Sequence, residues 1–200
     1  EESTEAGSFG FSESTLTYSE EKEDLLNKFV EFQREVWLMS CLKHKNVCSL
    51  RGICTSPMAM VMDFLQLGDL FHLIGKVDRS SKRKPKAFDP YSPSNLLDFN
   101  LKVKLAFDIA QGMNHLHTFE PPVIHRDLRS PNIFVKTLDI NAPACALVGD
   151  FGLSRLFASS MAGGAFNRNW LAPEVMKGED YSGKMDVYSY GIIIWELITL

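Results

Sequence analysis

The 200 residues carry 45% apolar and 23% charged side chains, which excludes a collagen, a disordered tract or a disulfide scaffold and leaves an ordinary globular chain. Twenty-one Lys and Arg against 25 Asp and Glu give a formal charge of -4, so no field gathers nucleic acid or an anionic membrane, and no nucleic-acid partner is expected. Cys41, Cys48, Cys54 and Cys145 form no C-x-x-C pair and read as reduced, buried small apolar residues of a cytoplasmic chain.

Residues 1–23 are acidic and rich in Ser and Thr with almost no apolar periodicity, the pattern of a flexible lead-in or insertion. They hold no initiator Met, basic stretch or apolar run of a signal peptide, and the chain is expected to begin inside a larger protein. Gly7-Ser8-Phe9-Gly10 has the look of a phosphate-covering loop tip. Glu5 stands where the first glycine belongs and Ser12 where a valine belongs, so chance similarity is the favoured reading.

From Glu23 to Leu42, Phe29, Phe32, Val36 and Met39 recur at three and four residues and predict a helix, with Glu35 beside the stripe. Val47 to Cys54 and Met58 to Phe64 are β-type runs around Thr55-Ser56-Pro57, an antiparallel pair. Gly68-Asp69 precedes a short helix from Leu70 to Ile74. Residues 76–95 read as a loop in which Lys76, Arg79, Lys82, Arg83, Lys84 and Lys86 form a solvated insertion, with docking through 76–86 the functional alternative.

Leu101, Leu105, Ile109, Met113 and Leu116 mark a long amphipathic helix that must end before Pro121-Pro122. His115 and His117 close it without the cysteine or third histidine that a metal site needs. Strands are expected at Ile133 to Val135 and Ala146 to Gly149. A last helix opens at Asp186 and, apolar on nearly every face through Ile192 to Ile198, is expected to be buried all round. Its apolar run from Tyr190 to Leu200 carries Glu196 and is too short to span a bilayer. The order of elements is α+β.

Three signatures sit on the connections of this body. His125-Arg126-Asp127-Leu128-Arg129-Ser130-Pro131-Asn132 comes first, then Asp150-Phe151-Gly152, then Trp170-Leu171-Ala172-Pro173-Glu174. Each is weak alone; the three in this order and spacing are strong. Phosphoryl transfer needs two oxygens held in line and spread negative charge neutralised, and the signature residues match those needs. Asp127 can accept a hydrogen bond from an attacking hydroxyl and take its proton late. Asn132 offers a neutral oxygen and Asp150 a charged one, the hard ligands that Mg²⁺ selects.

From about Phe29 to Leu200 the chain resembles the protein kinase superfamily. Within the superfamily it resembles the tyrosine-kinase-like group, and there the Roco kinases related to leucine-rich-repeat kinases. Glu31-Phe32-Gln33-Arg34-Glu35-Val36, His125 to Phe134, Leu138-Asp139 and Asn141-Ala142-Pro143 carry the finer likeness. The resemblance implies a bilobal kinase-like fold that is truncated. Residues 24–66 would be a partial N-lobe and hinge, and 67–200 a partial C-lobe with catalytic loop 125–132 and activation segment 150–174.

It also implies roles. Arg129 points a cation toward the transferred phosphoryl group, as a planar fork where many kinases place lysine. Glu35 is the glutamate that pairs with the phosphate-anchoring lysine, and His44 with Asn46 is the turn after its helix. Met62 is the gatekeeper, the Asp63 carbonyl and Leu65 amide hold adenine, Phe134 lies under its ring, and Asp186 braces the catalytic loop. Arg126 would pair with a phosphate on Ser154, Ser159 or Ser160.

The sequence departs from the pattern in three places. The glycine-rich loop and the strand lysine are missing, and the chain stops within the central helix, so Glu174 lacks its usual arginine. Asn167, preceded by Phe166, stands where many serine/threonine kinases carry threonine. The expected parent is a protein kinase transferring the γ-phosphoryl of Mg-ATP to Ser or Thr, with little turnover by these 200 residues alone. The alternatives are a pseudokinase or regulatory binding module, and tyrosine specificity.

Overall fold

The computed structural model describes residues 13–81, 97–151, 155 and 156, and 168–199. Helix α1 runs from Glu13 to Cys41, ten residues earlier than the sequence pattern predicts, so 13–23 are not the loop expected of them. No Gly or Pro interrupts this stretch, and its Glu, Lys and Leu residues are good helix formers that need no apolar face to stay helical. An Asp24–Lys28 pair at 2.6 Å adds one exposed i,i+4 contact. Of the expected apolar stripe only Met39 is buried, beside Leu38; Phe29 is 40% exposed.

Strands β1 (Leu50–Thr55) and β2 (Met58–Met62) pair antiparallel as expected, with a register irregularity between Leu50 and Gly52. Val47 stays outside β1 and instead makes an isolated parallel bridge to Val148. Helix α2 spans Leu70–Ser81, well past the expected end at Ile74, so the first part of the basic stretch is helical. Gly75 lies inside α2, and a single helical glycine costs only about 1 kcal/mol. Burial of Leu70, Leu73 and Val77 along one stripe offsets it. Residues 82–86 of the basic stretch lie outside the described residues.

Helix α3 (Phe99–His117) starts where the Asp98 carboxylate accepts the Leu101 amide at 2.7 Å and ends at Thr118, ahead of the two prolines. Its Leu101, Leu105, Ile109, Met113 and Leu116 are all buried, as the periodicity requires. Strands β4 (Ile133–Val135) and β5 (Ala146–Val148) pair antiparallel against it. Strand β3 (Val123–Ile124), which periodicity did not reveal, pairs with β6 (Arg155–Leu156); two residues are too few to show a period.

After the short α4 (Pro173–Met176), helix α5 spans Lys184–Ile198. It is not buried all round: Met185, Asp186, Ser189, Ile193 and Leu197 face the core, while Val187, Tyr188, Trp195 and Ile198 are exposed. The packed elements cover only one side of its cylinder. Leu105, Ile109, Leu116, Ile133, Val135, Val148 and Ile193, all essentially sealed, form the centre of one core that ties α3, β4, β5 and α5 together. The cysteines are free thiols, and only Cys48 and Cys145 are buried; Cys54 is exposed because it sits near the tip of the β1–β2 hairpin.

Candidate active site

Strand β3 delivers the chain to residues 125–132, and α5 holds it there. Asp186, 1% exposed in the first turn of α5, accepts the His125 amide at 2.9 Å and the Arg126 amide at 3.0 Å, while His117 Nε2 lies 2.8 Å from the same carboxylate. A buried carboxylate is tolerated because charge-assisted bonds replace its water. Arg126 adopts a φ of 70°, a left-handed backbone rare for a side chain of this size, and its guanidinium lies 5.3 Å from the centre of the Tyr181 ring.

The loop then closes on itself. Asp127 Oδ2 accepts Arg129 Nε at 3.0 Å and Asn132 Nδ2 at 2.9 Å, and Asn132 Nδ2 also donates to the Asp127 carbonyl at 2.8 Å. Both side-chain bonds fall on one oxygen, so the carboxylate is oriented with its other oxygen turned away from them. Arg129 is therefore seated against Asp127, where it neutralises that carboxylate. The Asn132 amide, committed through its nitrogen to Asp127, turns Oδ1 to the opposite side.

Strand β5 brings in the second half of the site. Gly149 donates its amide to the Asn132 carbonyl at 3.0 Å, and its carbonyl lies 3.1 Å from His125 Nε2. Asp150 follows with a φ of 61°, and Phe151, 1% exposed, packs against His125 with ring centres 5.5 Å apart. Asn132 is thus bonded to Gly149, the residue just before Asp150. The neutral oxygen of Asn132 and the charged ones of Asp150 suit Mg²⁺, which takes hard oxygen ligands and keeps several waters.

Met62, Asp63, Leu65 and Phe134, separated in sequence, meet in the wall of one cavity of about 260 Å³ that Cys48, Gly68 and Leu147 help to close. Its apolar faces and the polar backbone of 63–65 suit a flat heterocycle. The floor admits only glycine at 149, where an added Cβ would sit 2.8 Å from the Phe134 ring and 2.9 Å from Cys48 Sγ. Burial, and then the Asp63 charge, push the Cys48 thiol up to about 12, so it is a neutral wall residue. The Asp63 side chain faces away to Arg51 in a bidentate pair at 2.9 and 2.7 Å. Hydrogen bonding to Arg51 lowers the Asp63 carboxyl.

Glu35 does not line that cavity but lies within electrostatic reach of Asp150. Burial raises its carboxyl, and the charge of Asp150 raises it further. Two contributors were not foreseen. Glu196 accepts Ser130 Oγ and Trp170 Nε1, each at 3.0 Å, joining the loop to the segment before Ala172; its carboxyl is raised by burial against those two bonds. Asp108 holds the start of β5. Asp108 is the one acid of α3 and Glu196 the one acid in the apolar run after Asp186 on α5, and that is the signal by which they could have been found. Gly152, Ser154, Ser159, Ser160, Phe166 and Asn167 lie outside the described residues.

Residues 17–200 match the family described as protein tyrosine and serine/threonine kinase. Among curated proteins the chain is similar to qkgA of Dictyostelium discoideum, a probable serine/threonine-protein kinase. The two are 40% identical over 180 residues, which cover 89% of this chain and 11% of that protein. Another probable serine/threonine-protein kinase of that organism, roco11, is 41% identical over 177 residues, 88% of this chain and 11% of its own. Its cyclic GMP-binding protein C is 38% identical over 183 residues, 88% and 6%. The chain thus spans about a tenth or less of the length of these relatives.

Proposed function

Because the chain belongs to the protein tyrosine and serine/threonine kinase family, we propose that the protein it represents transfers the γ-phosphoryl group of Mg-ATP to serine or threonine hydroxyls of protein substrates. The observation that carries this is the Asp127 carboxylate, fixed through one oxygen by Arg129 and Asn132, on a loop stitched to Gly149, the residue before Asp150. In this reading the acceptor hydroxyl bonds to Asp127, its oxygen forms the new bond to phosphorus as the bond to the ADP oxygen breaks, and its proton passes to Asp127 late. Arg129 sets the charge beside the transferred group.

Asn132 and Asp150 would hold Mg²⁺, which supplies charge neutralisation on the phosphates when bound. The cavity at Met62, Asp63, Leu65 and Phe134 would take adenine, with Glu35 awaiting a phosphate-anchoring lysine. Residues 24–66 serve as part of an N-lobe and hinge and 67–200 as part of a C-lobe, so these residues are read as a piece of a larger domain. Placement in the tyrosine-kinase-like group near the Roco kinases and serine/threonine specificity rest on the names of the relatives and the likeness of the signatures, and a cytoplasmic setting on the free cysteines. No helix among the described residues is long and apolar enough to cross a membrane. Docking through 76–86 remains part of the proposal.

The test is phosphate transfer from labelled ATP to serine, threonine and tyrosine peptides by the full-length gene product and its Asp127→Asn variant. Loss of ~10² to 10⁴ in turnover, with nucleotide binding retained, is expected for removal of a general base. Absence of transfer by the intact protein while Mg-ATP still binds would favour a regulatory pseudokinase, and full activity of the variant would sink the role of Asp127.

A further inference from the structure

Two carboxylates are almost wholly enclosed among the described residues, and they do matching work. Asp186 grips the amides of His125 and Arg126 just before Asp127. Asp108, 0% exposed on α3, accepts the amides of Cys145 at 2.6 Å and Ala146 at 3.3 Å through Oδ2, and Lys104 Nζ at 2.8 Å through Oδ1. We infer that Asp108 is a positioning residue for Asp150: it fixes the start of β5, the strand whose far end sets where that metal-binding carboxylate stands relative to Asn132. The inference rests on the kinase reading of the site.

Strand β5 is only three residues long, so its ends move together. Ala146, Leu147 and Val148 pair with Val135, Phe134 and Ile133, and the Ala146 carbonyl accepts Asn46 Nδ2 at 2.9 Å. At the far end the Gly149 amide meets the Asn132 carbonyl. Without an acceptor at the start, the amides of Cys145 and Ala146 are buried donors with nothing to bond, and the cheapest relief is a shift of the strand along its ladder. Such a shift transmits to Gly149 and separates Asn132 from Asp150. The adenine cavity takes only Leu147 from this strand and is otherwise built on residues that Asp108 does not touch. The effect should therefore be confined to the metal-dependent part of nucleotide binding.

Lys104, with its side chain 18% exposed, serves a different purpose. It neutralises Asp108 and, among the described residues, makes no hydrogen bond of its own to β5, so its loss leaves the grip on the two amides in place.

The experiment uses the full-length protein and measures binding of a non-hydrolysable ATP analogue with and without Mg²⁺, alongside turnover at varied free Mg²⁺. Asp108→Leu, which removes the acceptor, is expected to keep the metal-free affinity within about twofold and the peptide KM unchanged, while the Mg²⁺-dependent gain in affinity falls, and the Mg²⁺ required for half-maximal turnover rises, about fivefold or more. Lys104→Met should show little of either change. If Asp108→Leu does not fold, Asp108→Glu, which keeps the charge but lengthens the reach, carries the same expectation. A folded variant with unaltered Mg²⁺ dependence overturns the inference, as does a proportional loss of metal-free binding, peptide KM and Mg²⁺ response. An intact protein that binds Mg-ATP normally and transfers no phosphate overturns the kinase reading instead, and the binding comparison still decides the role of Asp108.

Discussion

The carboxylate of Asp186 lies 3.0 Å from the amide of Arg126, the residue whose backbone at φ 70° turns the chain into the loop that carries Asp127. An unfavourable left-handed residue persists where its surroundings over-determine it, and here a buried anion supplies the constraint. Asp186→Ala removes the acceptor for two buried amides and leaves His117 facing a void. Hydrogen bonds to a charged group contribute about 1.5–3 kcal/mol each, so a loss of at least ~3 kcal/mol is expected in urea denaturation. A loss under about 1 kcal/mol would mean the loop holds its shape unaided.

Gly112 sets how closely α3 approaches the turn before β1. A Cβ there would meet the Asn46 carbonyl oxygen at 2.6 Å and Val148 Cγ2 at 2.8 Å. Gly112→Ala gains up to ~1 kcal/mol of helix propensity but forces backbone apart, a cost of about 1–3 kcal/mol. Net destabilisation is expected. Gly191 on α5 is the control, since nothing lies within 4 Å of its added Cβ, and Gly191→Ala should stabilise by ~0.5–1 kcal/mol. Equal shifts in the two midpoints would contradict this reading of the α3 contact.

These contrasts show what the sequence could reveal. Periodicity located α3 because five apolar residues on one face are all buried, and the signatures located the loop because their spacing is chemical. Helix α1 was misjudged at its start because an exposed polar helix has no apolar stripe to read. The cavity could be reached only through the family likeness, since Met62, Leu65 and Phe134 share no pattern. Asp108 and Glu196 were passed over because an acid in an apolar run shows its importance only when its partners, here 37 and 66 residues away, are known.

Glu35 gives a pH signature. Its carboxyl is raised by burial first and by Asp150 second, so the folded state binds its proton more tightly than the unfolded chain does. Stability from this group is present below the ordinary glutamate range and is lost as pH rises through the raised value. Glu35→Gln should therefore raise the melting temperature at pH 7 by a few degrees at most, because the half-exposed site is screened, and make little difference near pH 4. A larger benefit in acid than at neutrality would contradict the sign. In a protein that presents a lysine to Glu35, the same variant should lose its stabilising effect.

The exposed side of α5 predicts self-association. Val187, Gly191, Trp195 and Ile198 fall on one stripe at spacings of four, four and three, and Val187, Trp195 and Ile198 are each more than 60% exposed. A continuous apolar strip on a helix is a binding or aggregation surface when nothing covers it. The 200-residue chain should sediment as a concentration-dependent mixture of species. Trp195→Glu together with Ile198→Lys should shift it toward monomer, and each exposed change should alter stability by no more than about 0.5 kcal/mol. The buried side, where Ile193 and Leu197 are sealed, marks the contrast: Ile193→Ala should cost ~2–5 kcal/mol and worsen association by exposing core. Persistent association of the doubly charged variant would place the sticky surface elsewhere, the exposed Leu25, Leu26 and Phe29 of α1 being the next to substitute.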